Sequence, residues 1–310
     1  MQGQNNRLQK TLTIGSKNIV DLVRSNWTKA FLLDFHFTVT TGASGSNITV
    51  TLADAITNIQ LRYNGSNVPL SSSMKTLLQY YAQVYGITAT NDSIATDSLS
   101  AVERHVKVYI DLSPSDNIRS NDSPFRNVAG LLPLHKFDTA DFVVDISNPD
   151  STNITALSCV LNVEQIEVKL TAEEEAEFVS NGMVITEIEE RSVTPVITTN
   201  YANTIEFDAK QTVKQVYVYS SGDNFADYKV QRRRPSVIQI YDKTKSMTQE
   251  ENKVFYGRSN LTGEYMIELD PVGQKGLLTG EVKGDYTLDF NSTGTTAIKI
   301  LLKRFSVVNL

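Results

Sequence analysis

Alternation of apolar and polar residues at period two recurs along most of this 310-residue chain. Leu33, Phe35, Phe37 and Val39 alternate with Asp34, His36 and Thr38. A strand with that pattern has one apolar face, whereas a helix would need apolar residues three and four apart. The pattern returns at Val106–Leu112, Phe142–Ile146, Val160–Val168, Val216–Tyr219, Val237–Tyr241, Tyr265–Leu269 and Ala297–Phe305. Turn signals separate these runs: Asn64-Gly65, Asn148-Pro149-Asp150, Ser221-Gly222-Asp223 and Asn291-Ser292-Thr293-Gly294. Many short strands with such punctuation exclude a parallel α/β core and point to sandwiches of antiparallel sheets. An apolar fraction of 40% can fill cores of ordinary size.

Two segments carry helical spacing instead. Ser71 to Tyr85 places Met74, Leu77, Leu78 and Tyr81 on one face, with Gly86 positioned to stop it. Thr171 and Glu174 form a capping-box pattern at the start of a second, acidic helix. That helix lies just past mid-chain, and the segments on either side echo one another. Leu33-Asp34-Phe35 resembles Ile205-Glu206-Phe207, and Ile56–Leu61 resembles Val213–Val218. Tyr109–Leu112 resembles Met266–Leu269, Gly130-Leu131-Leu132 resembles Gly276-Leu277-Leu278, and Phe142–Ile146 resembles Tyr286–Phe290. Each series closes on a long strand, Ser158–Val168 and Ala297–Val307. The ordered series predicts two copies of one sandwich.

Candidate catalytic chemistry is sparse. His36, His105 and His135 are not spaced as metal ligands, and no nucleophile elbow, Walker loop or dinucleotide fingerprint occurs. Gly42–Ser46 is glycine-rich but joins two strands, without the helix N-terminus a phosphate cradle needs. Glu173, Glu174, Glu175 and Glu177 are helical neighbours, not a carboxylate pair flanking a cleft. The Asp/Asn-rich stretches Ser115–Asn117 and Ser120–Asp122 lack the EF-hand pattern and read as turns. The sequence therefore predicts no enzyme, cofactor or metal. Eight Asn-x-Ser/Thr sequons, among them Asn26, Asn47, Asn153 and Asn260, follow from a composition rich in turn residues. Cys159 is the single cysteine, so no disulfide forms within the chain. No run reaches the roughly 20 apolar residues of a membrane span. The polar start, without an apolar signal segment, leads to the expectation of a cytoplasmic product.

A net charge of -6 with both signs dispersed argues against a general nucleic-acid binder. Two basic features stand out. Arg7, Lys10, Lys17, Arg24 and Lys29 against a lone Asp21 make the first thirty residues positive. A polar basic arm of this kind suits an anionic surface. Arg232-Arg233-Arg234 precedes Pro235, which a central strand excludes. This cluster reads as a loop or edge suited to an intersubunit salt bridge.

The run Ile59-Gln60-Leu61-Arg62-Tyr63-Asn64-Gly65-Ser66-Asn67 leads into Ser71–Leu78, and Gly284–Phe290 leads into Ile298–Leu301. With two tandem sandwiches and a short intervening helix, this order resembles a known family. It is the major capsid proteins of tailless, lipid-containing icosahedral phages, the double jelly-roll lineage of tectiviruses, corticoviruses and finnlakeviruses. The resemblance implies an all-β chain of two tandem eight-stranded jelly rolls with short connecting helices. The expected division is a basic arm at 1–20, a first jelly roll at 21–170, a helical linker at 171–182 and a second jelly roll at 183–310. It further implies a homotrimer forming a pseudo-hexagonal block that tiles an icosahedral shell over an internal membrane. Neighbouring capsomers and minor capsid or penton proteins would be partners, in virions assembled in the host cytoplasm. Arg7, Lys10, Lys17 and Arg24 would then lie on the inner, membrane-proximal face, and Arg232, Arg233 and Arg234 at contacts between subunits. The alternative is a viral receptor-binding or carbohydrate-binding β-sandwich, which expects aromatic residues clustered at one loop end. Tyr80, Tyr81 and Tyr85 instead lie on a helix that faces a core.

Overall fold

A computed structural model of the chain describes residues 2–42, 48, 50–86, 88–92, 94, 101–112, 130–180, 183–257, 262–269 and 277–308. The chain divides into two compact units. Unit 1 takes in Met1–Ala82, Ile87–Thr186 and Val307–Leu310, and unit 2 takes in Gln83–Gly86 and Glu187–Ser306.

Unit 1 contains strands β1 (Gln2–Leu12), β2 (Ser16–Asp21), β3 (Trp27–Thr41), β4 (Ile56–Tyr63), β5 (Asn67–Ser72), β6 (Val102–Asp111), β7 (Ala140–Ile146) and β8 (Ile154–Lys169). Helix α1 (Met74–Tyr85) follows β5, and α2 (Ala172–Ser180) follows β8. One sheet runs in the order β1-β8-β3-β6, and β2, β7, β4 and β5 neighbour one another in a second. All these pairings are antiparallel. The alternation read from sequence maps onto β3 directly: Leu33, Phe35, Phe37 and Val39 are buried, while Asp34, His36 and Thr38 face outward. Each buried Phe contributes about 1.5–3 kcal/mol by leaving water. Phe31 of β3 meets Phe142 of β7 edge to face at 5.0 Å, so the two sheets share one core. Asn64 and Gly65, with φ of 48° and 72°, turn β4 into β5 within a three-residue connection, where the left-handed backbone favours Asn and Gly.

Unit 2 contains β9 (Met183–Val193, in this unit from Glu187), β10 (Thr198–Glu206), β11 (Thr212–Ser220), β12 (Phe225–Arg232), β13 (Ile238–Lys243), β14 (Glu264–Glu268), β15 (Leu277–Leu278), β16 (Tyr286–Ser292) and β17 (Ile298–Val308). Helix α3 (Lys245–Tyr256) follows β13. Here β9, β17, β11 and β14 neighbour in that order with β15 beside β11, and β10-β16-β12-β13 form the second sheet. Phe225 lies 5.4 Å from Tyr265 and 5.3 Å from Phe290, at the centre of the core that Val216, Ile267 and Ile300 extend. At Gly263, φ is +79°, and any Cβ would collide with the Ser220 carbonyl oxygen. Only glycine fits that turn.

Leaving out the two-residue β15, both units have the same strand order: first-eighth-third-sixth in one sheet and second-seventh-fourth-fifth in the other. Each also inserts a helix after the fifth strand. The later sequence matches fall on equivalent strands. Tyr109–Leu112 and Met266–Leu269 are at the sixth strands, Phe142–Ile146 and Tyr286–Phe290 at the seventh, and the closing runs at the eighth. Leu132 bridges Thr28 as Leu278 pairs Thr212, each at the start of a third strand. The two earlier matches are one strand out of step. Ile56–Leu61 is a fourth strand and Val213–Val218 a third, while Leu33–Phe35 is a third and Ile205–Phe207 begins in a second. Alternation alone does not distinguish one strand from the next.

The expected free arm is corrected in the same way. Gln2–Leu12 is the edge strand β1, paired residue for residue with β8, and Ser16–Asp21 is β2. Its residues are polar on both faces because most of them remain exposed at a sheet edge, so no apolar alternation marks it. The two helices expected from sequence are present as α1 and α2, and α3 is additional. The stretches 113–129 and 43–47, with Ser115–Asn117, Ser120–Asp122 and Asn47, lie outside the described residues, as does Asn260.

Candidate functional site

The basic residues near the N-terminus are held by the fold to different degrees. Arg7 on β1 reaches Glu164 of β8 at 3.1 Å, although its side chain is 79% exposed. The Lys10 ammonium donates to the Ile19 carbonyl oxygen, linking β1 to β2. Arg24, in the connection from β2 to β3, donates to the carbonyl oxygens of Phe137 (2.9 Å) and Asp138. Lys17 is exposed at the start of β2. The four therefore share no single patch of free charge: Arg7 and Arg24 are committed to neighbours in unit 1.

Beside them, Glu167 is fully buried. Its carboxylate accepts from Asn6 Nδ2 and Ser25 Oγ, both at 2.7 Å, from Asn26 Nδ2 at 3.0 Å, and from Gln165 Nε2 at 2.9 Å. Neutral donors thus satisfy a buried charge and tie β1 and the β2–β3 connection to β8. The Asn26 amide, a sequon residue, is part of this strut.

The outer face of β1, β8 and β3 carries a shallow groove of about 360 Å³ between Arg7, Leu32, Asp34 and Glu164. At its border His36 and His105 sit opposite each other on β3 and β6, their rings stacked at 4.5 Å and 9°. The His105 Nδ1–H donates to Asp34 at 2.8 Å, and Glu103 lies 3.5 Å from His36 Nε2. Stacked rings point their nitrogens in parallel planes, so the pair does not converge on one ion. Among the described residues no group of three or more His, Cys, Asp or Glu is placed to hold a metal, and no helix is long and apolar enough to cross a membrane. Burial pushes the Cys159 thiol up to about 12, with Asp34 adding to it, which keeps the thiol protonated and inert. The third histidine, His135, packs edge-on against buried Trp27, as does Phe178 of α2. Glu175 of α2 pairs with Lys136. The acidic helix is therefore docked on unit 1, and Thr171 and Glu174 form the reciprocal cap.

In unit 2, Arg232 ends β12 and Arg233 and Arg234 follow in an exposed turn, in line with the loop or edge read from the proline. Arg233 donates to Asp289 at 2.9 Å, and Asp289 is buried and also accepts from Thr204 at 2.6 Å and Thr287 at 3.1 Å. Arg233 is thus the counter-ion of a buried carboxylate, while Arg234 lies 3.9 Å from Asp285. A second charged cluster was not read from sequence. Arg304 of β17 meets Glu187 at 2.7 Å and Glu189 at 2.6 Å, and Arg191 and Asp208 extend the network. Burial would raise the Glu189 carboxyl, but the Arg191 hydrogen bond and the Arg304 charge outweigh it and hold it below the usual range. Asp208 is likewise lowered: Arg191 and Lys283 overcome its desolvation. Glu187, Glu189 and Arg191 lie on β9, Asp208 just after β10 and Arg304 on β17, and period-two patterning contains no signal that would join them.

No protein-family model and no curated protein matches this chain. Solved structures do. The major capsid protein of Sulfolobus turreted icosahedral virus is 15% identical and aligns over 99% of this chain and 97% of its own, with a TM-score of 0.76. This is the fold of the double jelly-roll capsid proteins. The major capsid protein P2 of bacteriophage PM2 has the double jelly-roll at 13% identity and a TM-score of 0.58, over 98% of both chains. The PBCV-1 virus capsid aligns over 100% of this chain and 97% of its own at 11% identity, with a TM-score of 0.64.

Proposed function

We propose that this chain is the structural major capsid protein of an icosahedral virus with an internal membrane, and that it is located in the virion. The observation that carries the reading is the match of fold end to end with the turreted-virus capsid protein, 99% of one chain on 97% of the other. A partial match would leave room for an appended activity; an end-to-end match supports reading the whole chain as part of the shell. Each unit is read as an eight-stranded jelly roll, a reading supported by the shared strand order and by sheets packed face to face within each unit. The domain division at 21–170, 171–182 and 183–310 follows from that reading, with residues 1–20 now supplying strands of the first jelly roll.

Three chains form a block of six jelly rolls, and the blocks tile the shell beside penton and minor capsid proteins. Closed assemblies of identical copies require repeated, specific contacts rather than one deep site. Lys10 and Lys17, which have no carboxylate partner among the described residues, face inward toward anionic lipid. Native mass spectrometry and negative-stain imaging of the purified protein test the central reading: trimers and regular hexagonal blocks are expected, and a strict monomer at high concentration overturns it. The inward face is tested separately by flotation with anionic vesicles. Lys10→Glu with Lys17→Glu is expected to abolish flotation while trimers persist, and unchanged flotation removes this role.

A further inference from the structure

Helix α3 is tied to unit 2 by polar contacts, while its apolar residues face away. Its buried residues are Thr248 and Asn252. Met247 is 53% exposed, Val254 79% and Phe255 52%. These three recur at i, i+7 and i+8, so they form one outward stripe. On the inward side, Tyr256 Oη donates to Glu268 of β14 at 2.9 Å. Lys243 meets Glu251 at 2.7 Å and Lys245 meets Asp223 at 2.8 Å. Asn252 Nδ2 donates to the Met266 carbonyl at 2.7 Å, and Met266 N–H donates back to Asn252 Oδ1 at 2.8 Å. Strand β14 is an edge strand, paired with β11 on its other side. One side-chain amide therefore satisfies both backbone groups of Met266, as a further strand would at that edge.

We infer that α3 is a strap that opens ahead of the rest of unit 2 and, while closed, guards the β14 edge. The strap lies within unit 2 and does not depend on the capsid reading. Undocking α3 breaks polar contacts that water replaces. It uncovers little apolar surface, because Met247, Val254 and Phe255 are already exposed in the closed state. Segments with few buried apolar contacts open locally, below the free energy of global unfolding. The strands beneath are held differently: Phe225, Tyr228 and Val230 of β12 and Leu288 and Phe290 of β16 are buried in the core of unit 2, and they separate only when that core does. Helix α1 also differs, since it buries Met74, Leu77 and Tyr80 and would expose them on leaving. Both ends of α3 are set by local chemistry. Thr244 caps the Met247 N–H, and Gly257 is left-handed at φ 65°. The helix thus moves as one piece between two end positions that absorb the change in backbone angle. With α3 away, the Met266 N–H and carbonyl face water and the edge is open to strand addition. The strap sets when that edge is available for pairing.

Residue-resolved hydrogen exchange of the full wild-type chain, in urea below the unfolding transition, tests the strap. The amides of α3 and the Met266 N–H, whose acceptor lies on α3, are expected to exchange together. Their rates are expected to exceed those of β16 amides at least about tenfold. Their opening is expected to depend weakly on urea because little surface is uncovered, whereas β12 and β16 amides follow the steep dependence of whole-unit unfolding. Exchange of α3 only in step with β16, at the same steep dependence, overturns the strap. Opening of α3 while the Met266 N–H stays protected overturns its role as edge guard. Asn252→Ala is expected to speed exchange at Met266 about tenfold, as loss of a buried acceptor demands, and an unchanged rate there also overturns the guard. The wild-type measurement decides by itself if that variant fails to fold.

Discussion

The helices that follow the fifth strand of each unit occupy the same place in the strand order and are held by opposite means. Helix α1 buries Met74, Leu77, Leu78 and Tyr80, so its position is set by non-directional removal of apolar surface from water. Helix α3 buries Thr248 and Asn252 and is located by a paired amide hydrogen bond to Met266, leaving its apolar stripe outward. Topology alone therefore does not determine which face of a helix is the inner one. One unit spends its apolar residues on its own stability, and the other presents them.

That contrast can be broken experimentally. Leu77→Ala in α1 has the largest expected effect, about 2–5 kcal/mol of lost stability by urea unfolding, from transfer and cavity terms together. Asn252→Ala in α3 is expected to cost about 1–3 kcal/mol, because the buried Met266 amide and carbonyl lose their partner. If the two substitutions rank the other way, the apolar-versus-polar distinction between the helices fails.

Acid sharpens the picture for unit 2. Glu189 and Asp208 have folded-state pKa values below their unfolded values. Their contribution is therefore fully present above the ordinary carboxylate range of about 4 and is lost as pH falls through the lowered folded values. A melting-temperature profile from neutral to acid pH is expected to drop in that window, and Glu189→Gln with Asp208→Asn is expected to flatten the drop. Smaller still are the helix caps. Thr171→Ala at α2 and Thr244→Ala at α3 remove side-chain acceptors for Glu174 N–H and Met247 N–H, each at about 1 kcal/mol. The smallest expected effect is Phe255→Ala, within about 0.5 kcal/mol by urea unfolding, because the side chain is half exposed.

How much of this was legible in the sequence depends on which residues carry it. Strands with one apolar face were legible: β3, β6 and β8 fall where alternation placed them, because a half-buried strand must alternate. Strands β7 and β17 also fall on the expected runs but are buried on both faces along much of their length. Strand β1 was not, since Asn5, Arg7 and Gln9 face solvent at an edge and carry no period. Helix α1 was legible from its inward apolar stripe. Helix α3 was missed for the same physical reason: its apolar residues point away from the unit it belongs to. Two local signals could have found it, Thr244 as N-cap and Gly257 in the left-handed conformation at φ 65°.

Of the residues singled out for function, Arg7, Arg24 and Arg233 were identified by charge, and charge does not say where a side chain reaches. Only the folded chain brings Arg233 to buried Asp289, or gathers Glu189 and Arg191 of β9, Asp208 after β10 and Arg304 of β17. The sequence by itself determined that the chain is all-β, twice built, and without a recognisable catalytic motif, because periodicity and turn chemistry are local properties. Tertiary structure decided which strands are equivalent, which charges are already neutralised and which helix shows its apolar face. Those outcomes depend on contacts between residues far apart in the chain, and no local pattern encodes them.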